Sequence, residues 1–116
     1  MNFLRSMLSG GVESISAVDV QAALKDETSA PFLLDVRQPD EYQGGHISGA
    51  KLIPLDELSA RLDELPKDRT IVCVCRSGAR SSAAARQLVS AGYKALNLSG
   101  GMMSWEMNRL PIKKGK

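Results

Sequence analysis

The sequence predicts an α/β domain organised around a mostly parallel sheet. Three observations carry that prediction. Strand-like and helix-like segments alternate along the chain. The clearest strand, Thr70-Ile71-Val72-Cys73-Val74-Cys75, is uncharged and mostly apolar throughout, as a central strand covered on both faces requires. The chain has 116 residues, enough for one core and too few for two.

Each element has a local cause. Residues 1–13 read as a flexible leader, with Gly10-Gly11 as the break. Ser16-Ala17-Val18-Asp19 has the form of a helix-start signal and predicts a helix through about Lys25. Phe32 to Val36 is an apolar run after a proline and predicts a buried strand. Pro39 suits the first position of a short helix that Gly44-Gly45 ends. Ala50 to Ile53 is a second short strand, stopped by Pro54. Leu55, Leu58, Leu62 and Leu65 then recur at helical spacing and predict an amphipathic helix closed by Pro66. After the central strand, Ser81 to Ala91 predicts an alanine-rich helix ended by Gly92. Ala95 to Leu98 predicts a strand, and Ser99-Gly100-Gly101 turns into a last helix containing Trp105. The basic tail from Pro111 is expected to fray.

Composition narrows the function. Apolar residues make up 43% and charged residues 24%, ordinary values for a packed domain. Net charge is +2, but residues 1–58 carry a net −5 and residues 59–116 a net +7. A basic second half favours a small anionic ligand or is simply a solvated surface. With no arginine-rich helix and no interleaved aromatics, nucleic acid is not expected. Cys73 and Cys75 share one short segment and cannot form a disulfide framework, which fits a reducing compartment. No signal-peptide core is present, and no stretch approaches the roughly 18 apolar residues of a membrane span, so a cytoplasmic location is expected.

The chemistry concentrates where the central strand ends. In open parallel sheets, ligands bind at the carboxyl ends of the strands. There stand Cys75, Arg76, Ser77, Gly78, Ala79, Arg80 and Ser81, and then a helix begins. A cysteine nucleophile works as its thiolate and needs a depressed pKa. A helix N-terminus and a loop curling back over Cys75 can aim several backbone N–H groups at the sulfur. Gly78 permits the backbone angles such a curl requires. Arg76 and Arg80 can hold an anionic ligand.

These residues resemble the active-site loop of the rhodaneses. Asp35-Val36-Arg37, Glu41-Tyr42, Gly45-His46-Ile47-Ser48-Gly49-Ala50 and Ile53-Pro54 resemble that family's N-terminal signature, and Gly100-Gly101 with Trp105 its C-terminal one. The resemblance spans about residues 14–111, which reads as the domain; residues 112–116 are the basic tail. It implies a five-stranded parallel sheet with helices on both faces. It also implies a sulfurtransferase reaction in two steps: Cys75 takes the sulfane sulfur of thiosulfate or a related donor as a persulfide, and a thiol or cyanide acceptor removes it. The acceptor could be a protein thiol. By the same resemblance the backbone N–H groups from Arg76 to Ser81 hold the persulfide, and neither metal nor organic cofactor is needed.

Other residues receive plainer roles. Cys73 lies two residues from Cys75, on the same face of the strand, and is expected to be structural rather than a resolving thiol. His46, the single histidine, is expected to be a hydrogen-bonded structural residue. Asp35 and Arg37 end the neighbouring strand and are expected to support the site from behind, Asp35 by orienting the loop and Arg37 by helping to recruit the anion. Trp105, Met102, Met103 and Met107 are expected to pack the core and its rim.

Two alternatives stand beside sulfur transfer to small acceptors. One is a persulfide relay or binding module serving a protein partner, which uses the same Cys75. The weaker one is a phosphatase or arsenate reductase on a related scaffold. Rhodanese-like phosphatases have one residue more between cysteine and arginine than the four found here, and the loop has no acidic residue to act as a general acid.

Overall fold

A computed structural model describes residues 8–9 and 12–116. The elements in chain order are β1 (Leu8–Ser9), β2 (Val12–Ile15), α1 (Ala17–Leu24), β3 (Phe32–Asp35), α2 (Pro39–Gln43), β4 (Lys51–Leu52), two 3-10 turns (Leu55–Ala60 and Leu62–Glu64), β5 (Ile71–Val74), α3 (Ala79–Ser90), β6 (Ala95–Leu98) and α4 (Gly101–Met107). The strands form one sheet in the order β1-β2-β6-β5-β3-β4. Strands β2 to β6 are mutually parallel, and two-residue β1 pairs antiparallel with β2 at the edge. The expected five-stranded parallel sheet is therefore present, with one short strand added. Val12 and Glu13, expected to belong to the leader, are the first residues of β2. The rest of that leader, Leu8–Ser9 aside, lies outside the described residues.

Strand alternation divides the core into two layers. Ile71, Cys73 and Cys75 face the side covered by Ala84, Ala85 and Leu88 of α3 and by Leu58. Val72 and Val74 face the opposite side, with Val20 of α1 and Met102 and Trp105 of α4. Helices on both faces thus explain why β5 is buried at every position. Ser16 caps α1, its hydroxyl accepting from the Asp19 N–H at 3.1 Å, and Pro39 opens α2.

Two expectations are corrected. The leucine segment after Pro54 forms two 3-10 turns and not one α-helix. The leucine spacings allow either form. Leu55 to Leu58 and Leu62 to Leu65 are each three apart, the period of a 3-10 turn. The wider step between Leu58 and Leu62 spans Arg61, where φ is −127° and the helix breaks. The C-terminal tail does not fray. Lys113 and His46 exchange both backbone hydrogen bonds, at 2.8 and 2.9 Å, and Gly115 N–H donates to Gln43 at 2.8 Å. The lysine side chains are exposed, as expected, while the backbone beneath them is paired.

Trp105 is fully buried, and its Nε1–H donates to the Pro111 carbonyl at 2.8 Å, which ties the tail to the core. Among the described residues no helix is long and apolar enough to cross a membrane. Truncating a buried aromatic removes its transfer energy and leaves a cavity. Trp105→Ala is therefore expected to lower unfolding free energy by about 3–5 kcal/mol, measured by urea denaturation.

Candidate active site

Parallel pairing sets the ends of β3 and β5 side by side: Asp35 is in register with Val74. Cys75 follows directly. Its residue is only 1% exposed, so an anion there depends on protein donors in place of water. The chain supplies them by turning back at once. Gly78 adopts φ +108°, a left-handed conformation that L side chains resist, and serves as the N-cap of α3. The turn brings the Gly78 N–H to 3.1 Å and the Ser81 N–H to 3.3 Å from Cys75 Sγ. The Ser81 hydroxyl lies 3.2 Å from the same sulfur. The 12-residue helix behind them adds the positive end of its dipole.

These effects oppose one another at the sulfur. Burial pushes the Cys75 thiol up, while the Ser81 hydroxyl and the N–H groups of Ser81, Gly78 and Ser77 pull it down. The donors prevail, and the pKa lies below its ordinary value. Cys73 has no such help. It is fully buried on β5, and burial, followed by the nearby Cys75, drives its thiol well above the ordinary range. A buried, protonated thiol fits the structural role expected for Cys73.

The base of the loop is held from the other side by α4. The Met102 N–H donates to the Cys75 carbonyl at 2.8 Å and the Met103 N–H to the Arg76 carbonyl at 3.0 Å. Gly101, at φ +56°, makes the approach possible. A Cβ there would collide with the Cys75 carbonyl oxygen and would sit 2.6 Å from that of Arg76. The Gly100-Gly101 pair in the sequence is thus a packing requirement of the loop.

The loop residues expected at the site come together, but the charged ones divide. Arg76, Ser77 and Ala79 are exposed on the loop's outer side. The Arg76 side chain makes no hydrogen bond or ion pair among the described residues. Arg80, expected to hold an anionic donor, instead forms a two-pronged pair with Glu41 of α2, at 2.8 and 2.9 Å. Matched guanidinium and carboxylate geometry favours that pair.

Arg37 is likewise corrected as an anion recruiter. It is buried, its guanidinium donates to both Asp35 carboxylate oxygens and to the Gly45 carbonyl at 2.9 Å, and the Asp35 carboxylate also accepts the Arg37 N–H. The pair joins the end of β3 to the connection leaving α2. For Asp35, the hydrogen-bond partners run to Arg37 and not to the loop.

His46 is buried, stacks on Tyr42 with ring centroids 3.6 Å apart, and bonds the Tyr42 carbonyl through Nδ1 at 2.7 Å. That is the structural role expected. Among the described residues, no three His, Cys, Asp or Glu side chains converge to hold a metal ion.

Two contributors received no role from the sequence. Glu41 carries no local signal of its partner, which is 39 residues away. Asn97 does carry one: it is the polar residue of the otherwise apolar strand Ala95-Leu96-Asn97-Leu98, and a buried polar side chain implies a partner. Its Oδ1 accepts from the Ser81 hydroxyl.

Comparisons with known proteins place the chain in a family. Residues 16–108 match the rhodanese-like domain family. A sulfurtransferase of Allochromatium vinosum is 40% identical over 102 residues, covering 87% of this chain and 94% of that protein. The putative sulfurtransferase YtwF of Bacillus subtilis is 38% identical, covering 78% of this chain and 90% of its own. The crystal structure of a rhodanese-related protein from Thermoplasma volcanium superposes with a TM-score of 0.80 at 33% identity, covering 86% of this chain and 96% of that one. The chain belongs to the rhodanese-like domain family.

Two substitutions test how the site is held. Gly101→Ala is expected to cost at least about 1 kcal/mol through its positive φ alone, and to slow Cys75 alkylation because the loop base must shift; urea denaturation and iodoacetamide rates read the two effects. Glu41 has its pKa lowered from the usual 4.5 to about 2, first by the Arg80 hydrogen bonds. A carboxylate with a depressed folded-state pKa stabilises the fold above its unfolded value, and loses that contribution as pH falls toward the folded one. Stability should therefore decline between about pH 4.5 and about pH 2. Glu41→Gln should flatten that part of the stability–pH profile measured by thermal unfolding.

Proposed function

We propose that the protein is a sulfurtransferase that carries sulfane sulfur on Cys75, with thiosulfate or a related anion as donor and a thiol or cyanide as acceptor. The observation that carries this reading is the convergence of three hydrogen-bond donors on one cysteine sulfur at the end of β5. Family membership and relatives named sulfurtransferase support it.

In the first step the Cys75 thiolate attacks the outer sulfur of thiosulfate. A new S–S bond forms to Cys75, the donor's S–S bond breaks, and sulfite departs with the electron pair. In the second, cyanide or an acceptor thiolate attacks the terminal persulfide sulfur. Its bond to Cys75 breaks, and Cys75 leaves as the thiolate that began the cycle. This is covalent catalysis with ping-pong order. Cys75 is an anion at the start and the end, so the same donors serve both half-reactions. Within the loop, among the described residues, Arg76 is the arginine without an acidic partner and can meet the incoming anion, because Glu41 occupies Arg80.

A second reading, persulfide relay to or from a protein partner, is favoured by that same pairing. A loop with one arginine occupied by a carboxylate attracts a small dianion less strongly. One relative is named a putative sulfur carrier protein, YrkF of Bacillus subtilis, of which the match covers 54%. The loop length argues against the phosphatase alternative, since a shorter ring of N–H groups suits a single sulfur better than a tetrahedral phosphate.

Intact mass after incubation with thiosulfate tests the main reading. The native protein should gain one sulfur atom, lose it to cyanide with formation of thiocyanate, and Cys75→Ala should gain none. A gain on both proteins would move the chemistry to Cys73. No gain from thiosulfate, with a gain from a protein persulfide, would select the relay. Arg76→Ala should raise KM for thiosulfate by roughly tenfold, the loss of one charge-assisted contact, and leave kcat little changed in steady-state kinetics.

A further inference from the structure

Asn97 sits on β6, only 5% exposed, with Ser14 of β2 and Cys73 of β5 as its register partners. Its Oδ1 lies 2.5 Å from the Ser81 hydroxyl oxygen, which in turn lies 3.2 Å from Cys75 Sγ. The Asn97 Nδ2 is under the loop turn: a Cβ built on Gly78 would stand 3.7 Å from it. A hydroxyl has one proton to donate and can accept two. Ser81 therefore cannot fully serve both the Asn97 oxygen and a Cys75 thiolate at once, and the direction of the chain must depend on the charge of the sulfur.

We propose that Asn97 is a positioning residue for Cys75, whose carboxamide holds the Ser81 hydroxyl against the sulfur and reverses the direction of that hydrogen bond when the thiol ionises. With the thiol, Sγ–H donates to Ser81 Oγ and Oγ–H donates to Asn97 Oδ1. When the sulfur's proton leaves to water, Oγ–H turns onto the sulfur anion. The carboxamide then rotates half a turn and donates Nδ2–H to Oγ. Only the S–H bond breaks. A carboxamide suits this place because it offers an acceptor and a donor on one pivot. Without it, the Ser81 hydroxyl loses the partner that orients it, and the sulfur loses a fixed donor. The ionisable groups that act on the sulfur, Arg80 on α3 and Cys73 on β5, stay unchanged in every variant below.

The inference rests on Cys75 being the reactive thiol of the proposed transfer, but its test needs no sulfur donor. Alkylation of the Cys75 peptide by iodoacetamide is followed against pH in the native protein, Ser81→Ala, Asn97→Leu and the double variant. Asn97→Leu should move the midpoint upward and slow alkylation by roughly tenfold below it, the value of one hydrogen bond to a charged group. In the Ser81→Ala background the same change should add nothing. An unchanged midpoint in Asn97→Leu, or an equal shift in both backgrounds, would overturn the proposal. Should Asn97→Leu fail to fold, the native protein gives the answer by nuclear magnetic resonance. The Asn97 side-chain amide signals should titrate with the midpoint of the thiolate absorbance, and Ser81→Ala should abolish that titration. Signals that stay constant, or that titrate equally in Ser81→Ala, would contradict it. Loss of sulfur transfer with these couplings intact would refute the proposed function alone.

Discussion

The structure turns on aiming hydrogen-bond donors at a cysteine sulfur that is almost wholly buried. Cys75 directly follows the most buried strand of the sheet, and burial by itself would hold it as an inert thiol, as it does Cys73 two residues away. The difference between the two cysteines is local geometry. Cys73 lies within β5, where the N–H groups are spent on the ladder. Cys75 lies one step past it, where the chain reverses and its next N–H groups point back at the sulfur. The burial that costs the charge also strengthens every hydrogen bond made to it.

Much of the rest braces that reversal. β5 delivers the cysteine between β3 and β6. Gly78 makes the turn and gives one donor, and Ser81 of α3 gives the others. Gly101 lets α4 approach closely enough to hold the Cys75 and Arg76 carbonyls, and the same helix buries Trp105. The Arg80–Glu41 pair fastens the start of α3 to α2, and Asp35–Arg37 fastens β3 to the segment after α2. The residues around the sulfur thus belong to several elements that the sheet brings to the carboxyl ends of its strands, so a change at Gly101 presses on the Cys75 carbonyl directly, and a change at Glu41 acts through Arg80.

The sequence revealed the parts whose causes are local. Ser16, Pro39 and Gly44 act within a turn of where they stand, and the helix ends they implied are present. The apolar run through Cys75 was legible because a strand covered on both faces can hold little else. The cysteine loop was legible for a related reason: Gly78, the helix start and the cysteine lie within a few residues. What escaped depends on distance or on fine spacing. The Arg80–Glu41 pair joins residues 39 apart, so Arg80 looked like a free anion ligand. The supporting place of Arg37 was legible, but not its pairing with Asp35 two residues away, because charge alone does not reveal burial. The tail looked frayed because lysines suggest solvent, while its backbone hydrogen bonds depend on His46 far along the chain. The leucine spacing after Pro54 fits a helix of either pitch, and the break at Arg61 decided between them.

The most direct measurement is the pH dependence of alkylation of Cys75 in the native protein, with the modified peptide identified by mass spectrometry. The midpoint should lie below the ordinary thiol value of 9.0, because the donors outweigh burial, and Cys73 should stay unmodified over the same range. A Cys75 midpoint at or above 9.0 would mean that burial wins and that the loop does not hold a thiolate.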